Sequence, residues 1–327
     1  MNISICIITL NEEGTIASLL DSLLNQSKKA KEIIIVDGGS TDKTIEIIRH
    51  YPACISYAES IAGRQKKGTV IRLLVEKSSR AKGRNLGVEI AKGEIIATTD
   101  AGCIVDKNWL KNLTAPFATG RVDVAAGFYK MTGDSPLQKA ESVYLGTTPR
   151  HFNKSFLPSS RSLAFTKKIW EELGGFPENI EGTVEDTMFN NKLIKASAKI
   201  SRVKDAIVEW GMPESLNEFF WKVFGYAKGD ALTKIWIFPG KGLTSHNIKS
   251  LLMILRYLLG LIILVFSIKY HLLLPALIIL FMLYLLWAFR KVFLEFGDYR
   301  VALWGPVVQI TSDMAVIGGF VSGIMSG

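Results

Sequence analysis

The sequence predicts an α/β fold built on a mainly parallel sheet with flanking helices, followed by helices that enter a membrane. Three observations carry this reading. Short β-branched runs alternate with helical stretches over the first hundred residues. Those runs are apolar at consecutive positions, as strands covered on both faces must be. Near the C-terminus, two long apolar stretches are separated only by Lys269-Tyr270-His271.

Ile3–Leu10 (ISICIITL) reads as a buried strand closed by the polar Asn11-Glu12-Glu13-Gly14. Thr15–Asn25 has helical spacing through Ile16, Leu19, Leu20, Leu23 and Leu24. Glu32–Val36 is a second buried strand, and Asp37-Gly38-Gly39-Ser40-Thr41-Asp42 is the turn after it. Lys43–His50 is a helix, Ile71–Val75 a third strand, and Ala81–Ala91 a helix closed by Gly93. Glu94–Thr98 is a fourth strand, ending at Thr99-Asp100-Ala101-Gly102.

Leu251–Ile268 and Leu272–Phe289 are each just long enough to cross about 30 Å of hydrocarbon as a helix. The short link makes them a hairpin. Arg256, one turn inside the first helix, is placed to snorkel to the interface. Lys241 and Lys249 before the hairpin, and Arg290 and Lys291 after it, put the N-terminal part in the cytoplasm by the positive-inside bias. A third apolar segment, 301–325, carries Gln309, Thr311, Ser312 and Asp313 and is expected to associate with the membrane. The expected division is a globular domain over 1–240 and a membrane domain over 241–327. Ile3–Leu10 has no basic flank and leads straight into polar residues, so it does not read as a signal peptide.

Of the 327 residues, 48% are hydrophobic and 21% charged, which excludes a disordered chain. Cys6, Cys54 and Cys103 are scattered, with no CxxC, so neither a disulfide framework nor a cysteine zinc site is expected. The four histidines show no metal-ligand spacing. The net charge is +9, yet no basic stripe with interleaved aromatics appears, and nucleic acid is not an expected partner. Neither GxGxxG after the first strand nor GxxxxGK[ST] is present, which argues against a dinucleotide fingerprint or a P-loop.

What remains is a set of acidic turns. Three of the predicted strands end at Asn11-Glu12, Asp37 and Asp100, and a parallel sheet brings such ends to one edge, where ligands bind. Carboxylates gathered there repel one another and are best tolerated with a cation or hydrogen-bond donor among them. Taken singly, Asp37 and Asp42 also suit a turn former and a helix cap.

The order SICIITLNE (4–12), IIVDGGSTDKT (34–44), GRNLG (83–87), TDAGC (99–103), Gly174-Gly175-Phe176 and Glu185-Asp186 resembles family 2 glycosyltransferases over roughly residues 1–240. The resemblance implies a GT-A fold, a nucleotide-sugar donor, Mg2+ or Mn2+, and inversion at the anomeric carbon. Carried over, it places Thr9, Asn11, Glu12, Asp37, Arg84, Asp100 and Ala101 around the donor, with Asp100 as metal ligand. Glu185 and Asp186 become the catalytic pair, Asp186 being the base. Thr183, three residues ahead of Asp186, also resembles a capping box, and acids suit a helix N-terminus. The sequence departs from the family in two places. The usual Asp-x-Asp reads Asp100-Ala101-Gly102, leaving Asp106 as the next acid. The Gln-x-x-Arg-Trp of processive synthases is missing from Phe219–Asp230, which implies transfer of one sugar at a time. In that stretch Lys222, Lys228, Trp221 and Tyr226 suit either an acceptor channel or a helix on lipid. The expectation is an inverting enzyme at the cell membrane, multi-pass, acting on a lipid-linked or membrane-proximal hydroxyl. The alternatives are a phosphate acceptor on a polyprenyl chain, or a non-catalytic membrane scaffold.

Overall fold

The computed structural model describes residues 1–56, 58–59, 68–153, 156–179, 184–239 and 241–326. Thr183 lies outside them. Nine strands form one sheet among the described residues: β1 (Ile3–Thr9), β2 (Glu32–Asp37), β3 (Cys54–Ser56), β4 (Val70–Val75), β5 (Ile95–Thr98), β6 (Cys103–Val105), β7 (Val124–Thr132), β8 (Leu163–Thr166) and β9 (Ile200–Gly211). Their order across the sheet is β3-β4-β2-β1-β5-β8-β7-β9-β6. The half from β3 to β5 is parallel, with Thr9 opposite Asp37 and Cys6 opposite Thr98. The carboxyl ends of β2, β1 and β5 therefore open at one edge, as the sequence predicts. From β8 onward the recorded pairings are antiparallel. The short edge strand β3 was not anticipated from the sequence. It has only three residues, too few for a periodic signal.

The chain divides into two compact units. The first holds residues 1–130, 151–180 and 185–211. Its helices are α1 (Ile16–Leu24), α2 (Thr44–His50), α3 (Arg80–Glu89), α4 (Trp109–Thr114), α6 (Lys167–Glu172) and α7 (Glu185–Lys195). Ile34, Val36, Ile96, Phe165, Phe176, Phe189 and Leu193 share its core. Burying this apolar area is the main driving force for the unit. The α3 helix lies close against β1 because Gly83 and Gly87 face the strand. A Cβ at Gly83 would stand 3.1 Å from Ile8 Cγ2, and one at Gly87 would stand 3.5 Å from Cys6 Cβ. Further along, Glu32 is buried and accepts from Ser4 Oγ, from Lys92 N at 2.7 Å and from the Arg72 guanidinium. A buried charge persists only when paired in this way.

The second unit holds residues 131–150, 181–184 and 212–327, of which 181–183 and 327 are not described, nor is 240. It contains α5 (Pro136–Leu145), α8 (Leu216–Leu232), α9 (His246–Phe266), α10 (Leu273–Phe296), α11 (Tyr299–Ala302) and α12 (Trp304–Ser326). Ala140, Phe219, Val223, Val292, Val301, Val308 and Ala315 form its buried cluster. By length and composition, α9, α10 and the stretch Tyr299–Ser326 are each able to cross a membrane. Polar residues at their ends are helical too, so α9 starts at His246 and α10 runs to Phe296.

Two features of this unit were not legible as sequence. Gly319 and Gly323 bring α12 into backbone contact with α8: a Cβ at either would lie 2.3 Å from Phe224 O or 2.5 Å from Lys228 O. The second feature is Arg256. It donates to Asp313 Oδ2 at 2.7 Å, and the same oxygen accepts from Tyr257 Oη at 2.7 Å and from Tyr284 Oη. Gln309 Nε2 donates to Asp313 Oδ1 at 2.8 Å. A carboxylate with no solvent exposure needs these donors.

Candidate active site

The loops after β1 and β2 are laced together by short polar side chains. Asn11 sits at φ 54°, a left-handed conformation that asparagine tolerates better than most residues. Its Oδ1 accepts from Thr41 N at 2.8 Å, and its N donates to Ser40 Oγ at 2.8 Å. Glu12 N donates to Thr44 Oγ1 at 2.7 Å. Asp37 is fully buried and shapes its own turn: Oδ1 accepts from Gly39 N at 2.9 Å and Ser40 N at 2.7 Å, and Oδ2 accepts from Ser40 Oγ at 2.6 Å. Asp42 caps the following turn through Thr44 N at 3.0 Å. Thr9 Oγ1 is buried and has no partner among the described residues.

The loop after β5 completes this edge. Ala101 is buried, and a Cβ at Gly102 would meet only Glu12 Oε2, at 3.9 Å. The Glu12 carboxylate thus lies beside the position where the family carries its second acid. Glu12 Oε2 also accepts from Thr15 Oγ1 at 2.6 Å. Asp106 does not join this group; its Oδ1 accepts from Asn108 N at 2.8 Å at the start of α4.

A second cluster is organised by Arg84, which the glycines of α3 allow to point inward. Its Nη2 donates to Asp100 Oδ1 at 2.9 Å and its Nε to Glu185 Oε1 at 3.2 Å. Burial disfavours the Arg84 charge, but Asp100 and Glu185 outweigh it and hold the guanidinium firmly protonated. Burial likewise disfavours ionised Asp100, yet Arg84 and Arg161 keep its carboxyl below the usual carboxylate range. Asp186 behaves oppositely: burial and then the charge of Glu185 push it up to about 6. Its Oδ1 accepts from Thr187 N at 2.7 Å within the first turn of α7, where a negative charge suits the helix dipole.

Asn85 explains why Gly83-Arg84-Asn85 and Gly174-Gly175-Phe176 occur together. Asn85 Oδ1 accepts from Phe176 N at 2.8 Å, and its Nδ2 donates to Phe176 O at 2.8 Å. Gly174 and Gly175 have φ of 66° and 67°, in the left-handed region that favours glycine. A Cβ at Gly175 would stand 2.7 Å from Asn85 Oδ1.

Sequence reasoning missed Arg161, Trp210 and Tyr129. The Arg161 guanidinium lies 3.8 Å from the centre of the Trp210 ring, and its Nε is 3.9 Å from Asp100 Oδ2. No periodic pattern marks an arginine in a turn before a strand, and Trp210 reads as an ordinary strand residue. A separate cleft of ≈ 350 Å³, lined by Lys43, Glu46, Ile47, His50, Tyr51 and Pro52, holds none of these groups.

Among the described residues, no three carboxylates, histidines or cysteines converge as a metal cage. The donor set still fits a hard divalent cation that takes most ligands from phosphate and water. Such ions commonly need only one or two protein carboxylates. Asp100 is a third exposed and each oxygen meets one guanidinium, leaving lone pairs open.

This sheet, with its acidic loops and paired arginine, is a GT-A fold. The Glycosyl transferase family 2 model matches residues 4–169, and the chain belongs to that family. It is similar to the glycosyltransferase AglE of Haloferax volcanii, 24% identical over 54% of this chain and 57% of AglE. The chain thus spans little more than half of that relative. It is also similar to a dolichyl N-acetyl-alpha-D-glucosaminyl phosphate 3-beta-D-2,3-diacetamido-2,3-dideoxy-beta-D-glucuronosyltransferase of Methanococcus voltae, 26% identical over 72% of this chain and 77% of the relative. Among solved structures, it resembles a mannosyltransferase of Pyrobaculum calidifontis in complex with GDP-Man and Mn2+. The TM-score is 0.59 with 18% identity, over 96% of this chain and 86% of the other.

Proposed function

We propose that this protein transfers one sugar, with inversion, from a nucleotide sugar to a hydroxyl of a lipid-linked or membrane-proximal acceptor. The observation that carries the reading is Arg84 joining Asp100, at the carboxyl end of β5, to Glu185, beside Asp186. Thr9, Asn11, Glu12, Asp37 and Ala101 line the donor side, where carboxylates and carbonyls accept from base N–H and ribose O–H groups. Asp186 takes the proton of the attacking hydroxyl. A carboxyl raised to about 6 is ionised at neutral pH yet basic enough to accept it. Glu185 raises that basicity and is itself oriented by Arg84.

Asp100, Glu185 and Asp186 outnumber Arg84 and Arg161, so a diphosphate entering beside them needs added positive charge. Asp100 would hold Mg2+ or Mn2+, whose chemistry is to neutralise the departing diphosphate. In this reading residues 1–240 carry the transfer and 241–327 the attachment, with several spans and the transferase facing the cytoplasm. Attachment confines enzyme and acceptor to one surface, raising their effective concentration. The name of the Methanococcus voltae relative supports a lipid-linked acceptor.

The test is thermal stabilisation of the full chain by UDP-, GDP- and dTDP-sugars with Mn2+, repeated in Asp100→Ala. Stabilisation by one nucleotide class, lost in the variant, supports the reading. No stabilisation by any of them sinks it. Turnover retained in Asp186→Asn would replace the hydroxyl acceptor with a phosphate, which needs no base.

A further inference from the structure

We propose that α12 does not cross the membrane but lies along it, at the open end of the α9–α10 hairpin, with an apolar stripe set among the acyl chains of one leaflet. The proposal rests on the reading of α9 and α10 as a spanning hairpin, and it goes beyond the transfer reaction. Length and composition alone allow α12 to cross. Its anchor points place it otherwise.

The first support is where the two ends of α12 are held. The hairpin turns at residues 267–272, so the start of α9 and the end of α10 lie together at its open end. Near the N-terminus of α12, a Cβ at Gly305 would stand 2.6 Å from Ala288 O, and Gly305 O accepts from Tyr144 Oη at 3.2 Å. Ala288 lies past the middle of α10, about 22 Å along the helix from the turn. Asp313, midway along α12, reaches Tyr284, only one turn deeper than Ala288. Near the other end, Gly323 lies against Lys228 O, and the Phe320 and Trp236 rings meet edge to face with centres 5.9 Å apart. Lys228 and Trp236 flank the residues that fasten the start of α9: Asn247 Nδ2 donates to Asp230 O at 2.7 Å and to Ile235 O at 3.1 Å. Both ends of α12 are therefore tied to the open end of the hairpin. From Gly305 to Gly323 the helix rises about 27 Å, close to the thickness of the hydrocarbon core. A helix running parallel to the hairpin would carry Gly323 to the turn instead.

The second support is the company α12 keeps. Its C-terminal half runs against α8, with Gly319 and Gly323 in backbone contact. α8 carries Glu218, Lys228 and Asp230, and the Asp230 carboxylate pairs with His246 Nδ1 at 2.9 Å. A spanning α12 would draw these groups into hydrocarbon, where ionisable side chains are expensive. An α12 lying in the interface leaves them at headgroup level.

The third support is the outward face of α12. Val307, Met314, Val321 and Ile324 recur at helical spacing and are exposed, while Gln309, Ser312 and Asp313 are buried. On the hairpin, Leu252 and Leu286 are exposed in the same way. One medium, the acyl chains, covers all of them. A helix with such a face sits about 5–10 Å into the boundary between headgroups and chains.

Single cysteines in the full-length protein, in sealed inside-out membrane vesicles, test the placement. The background is Cys54→Ser, since Cys6 and Cys103 are buried. Thr244→Cys precedes α9, Lys269→Cys marks the hairpin turn, and Arg300→Cys and Ser326→Cys bracket α12; all four positions are exposed. A membrane-impermeant maleimide should give Thr244→Cys, Arg300→Cys and Ser326→Cys the same sidedness and Lys269→Cys the opposite one. Ser326→Cys siding with Lys269→Cys overturns the proposal. Thr244→Cys and Lys269→Cys on one side would sink the spanning hairpin itself, and the proposal with it. A second readout is the depth of bimane attached at Val307→Cys, Met314→Cys and Val321→Cys, in protein reconstituted with lipids carrying a nitroxide near the glycerol or near the chain end. All three should be quenched most by the shallow nitroxide. Met314→Cys quenched most by the deep one is the signature of a crossing helix and overturns the proposal. No quenching at any of the three would mean that protein, such as a second copy of this chain, covers the stripe, and the lipid assignment falls.

Discussion

Arg84 Nε stands 3.2 Å from Glu185 Oε1, joining α3 to α7 across 101 positions, while the same guanidinium holds Asp100 at 2.9 Å. One planar group therefore sets the positions of both acids. Lysine is a point charge and cannot serve both in this geometry. Arg84→Met should leave Glu185 buried without its cation, a loss of about 3–5 kcal/mol by the usual cost of breaking a buried pair. Arg84→Lys should be milder in thermal denaturation but still poor in sugar transfer. Wild-type turnover in Arg84→Lys would show that the two contacts are incidental.

If Asp186 is the base proposed above, the pH profile of kcat/KM should carry an acid limb near 6, where its carboxyl ionises. Activity rises with pH through that value. Burial is the larger cause of the raised pKa and the Glu185 charge the next. Glu185→Gln should therefore move the limb to lower pH without restoring an ordinary aspartate. Arg161→Gln should move it higher, since that guanidinium favours ionised Asp186. A limb that stays in place in both variants would assign it to another group.

The parallel half of the sheet was legible because β1, β2 and β5 are continuous apolar runs with polar stops, and such runs fit few other structures. The acidic loops followed from the same reading, since a parallel sheet must bring those stops to one edge. Arg84 was legible only through a motif that the resemblance places around the donor, and its two carboxylate partners, Asp100 and Glu185, were not legible. What could not be read were contacts between distant elements with no periodic signature: Arg161 on Trp210, Asn85 on Phe176, Arg256 on Asp313. Each pairs residues whose local patterns are unremarkable, and only the tertiary fold makes them neighbours.

Gly102 has room for a side chain. Its backbone is not left-handed, and a Cβ would meet only Glu12 Oε2 at 3.9 Å. Gly102→Asp should thus fold and add the second acid of the family's motif. The expected effect is a several-fold tighter requirement for Mn2+ in nucleotide binding, read as a lower half-saturating metal concentration. An unchanged metal dependence in a folded variant would indicate that Asp100 and the diphosphate already complete the site.

Glu141 on α5 is wholly buried, and neither carboxylate oxygen has a partner among the described residues. Burial, and then the charge of Glu218, push it up to about 8. The folded protein keeps this proton where the unfolded chain, near 4.5, releases it. Stability should therefore fall as pH rises from about 4.5 toward 8, the direction linkage requires when the native state binds more protons. Glu141→Gln should flatten that slope in thermal denaturation across the range. An identical slope in the variant would remove Glu141 as its source.

Asp313 ties α9, α10 and α12 together, and the test of that role is coupling. Arg256→Leu removes the only cation among its recorded partners, leaving an acid with no solvent exposure beside Tyr257, Tyr284 and Gln309. Asp313→Asn leaves the arginine without its counter-ion at the middle of an apolar helix. Each single change should lower the melting temperature of the detergent-solubilised protein. The double variant should be less damaged than the two losses added, because neither stranded charge remains. For residues in direct contact the interaction is of order 0.5–3 kcal/mol. If Arg256 instead reached the interface independently of Asp313, the two losses would simply add. Additivity would therefore return Arg256 to the role its position in the sequence suggests.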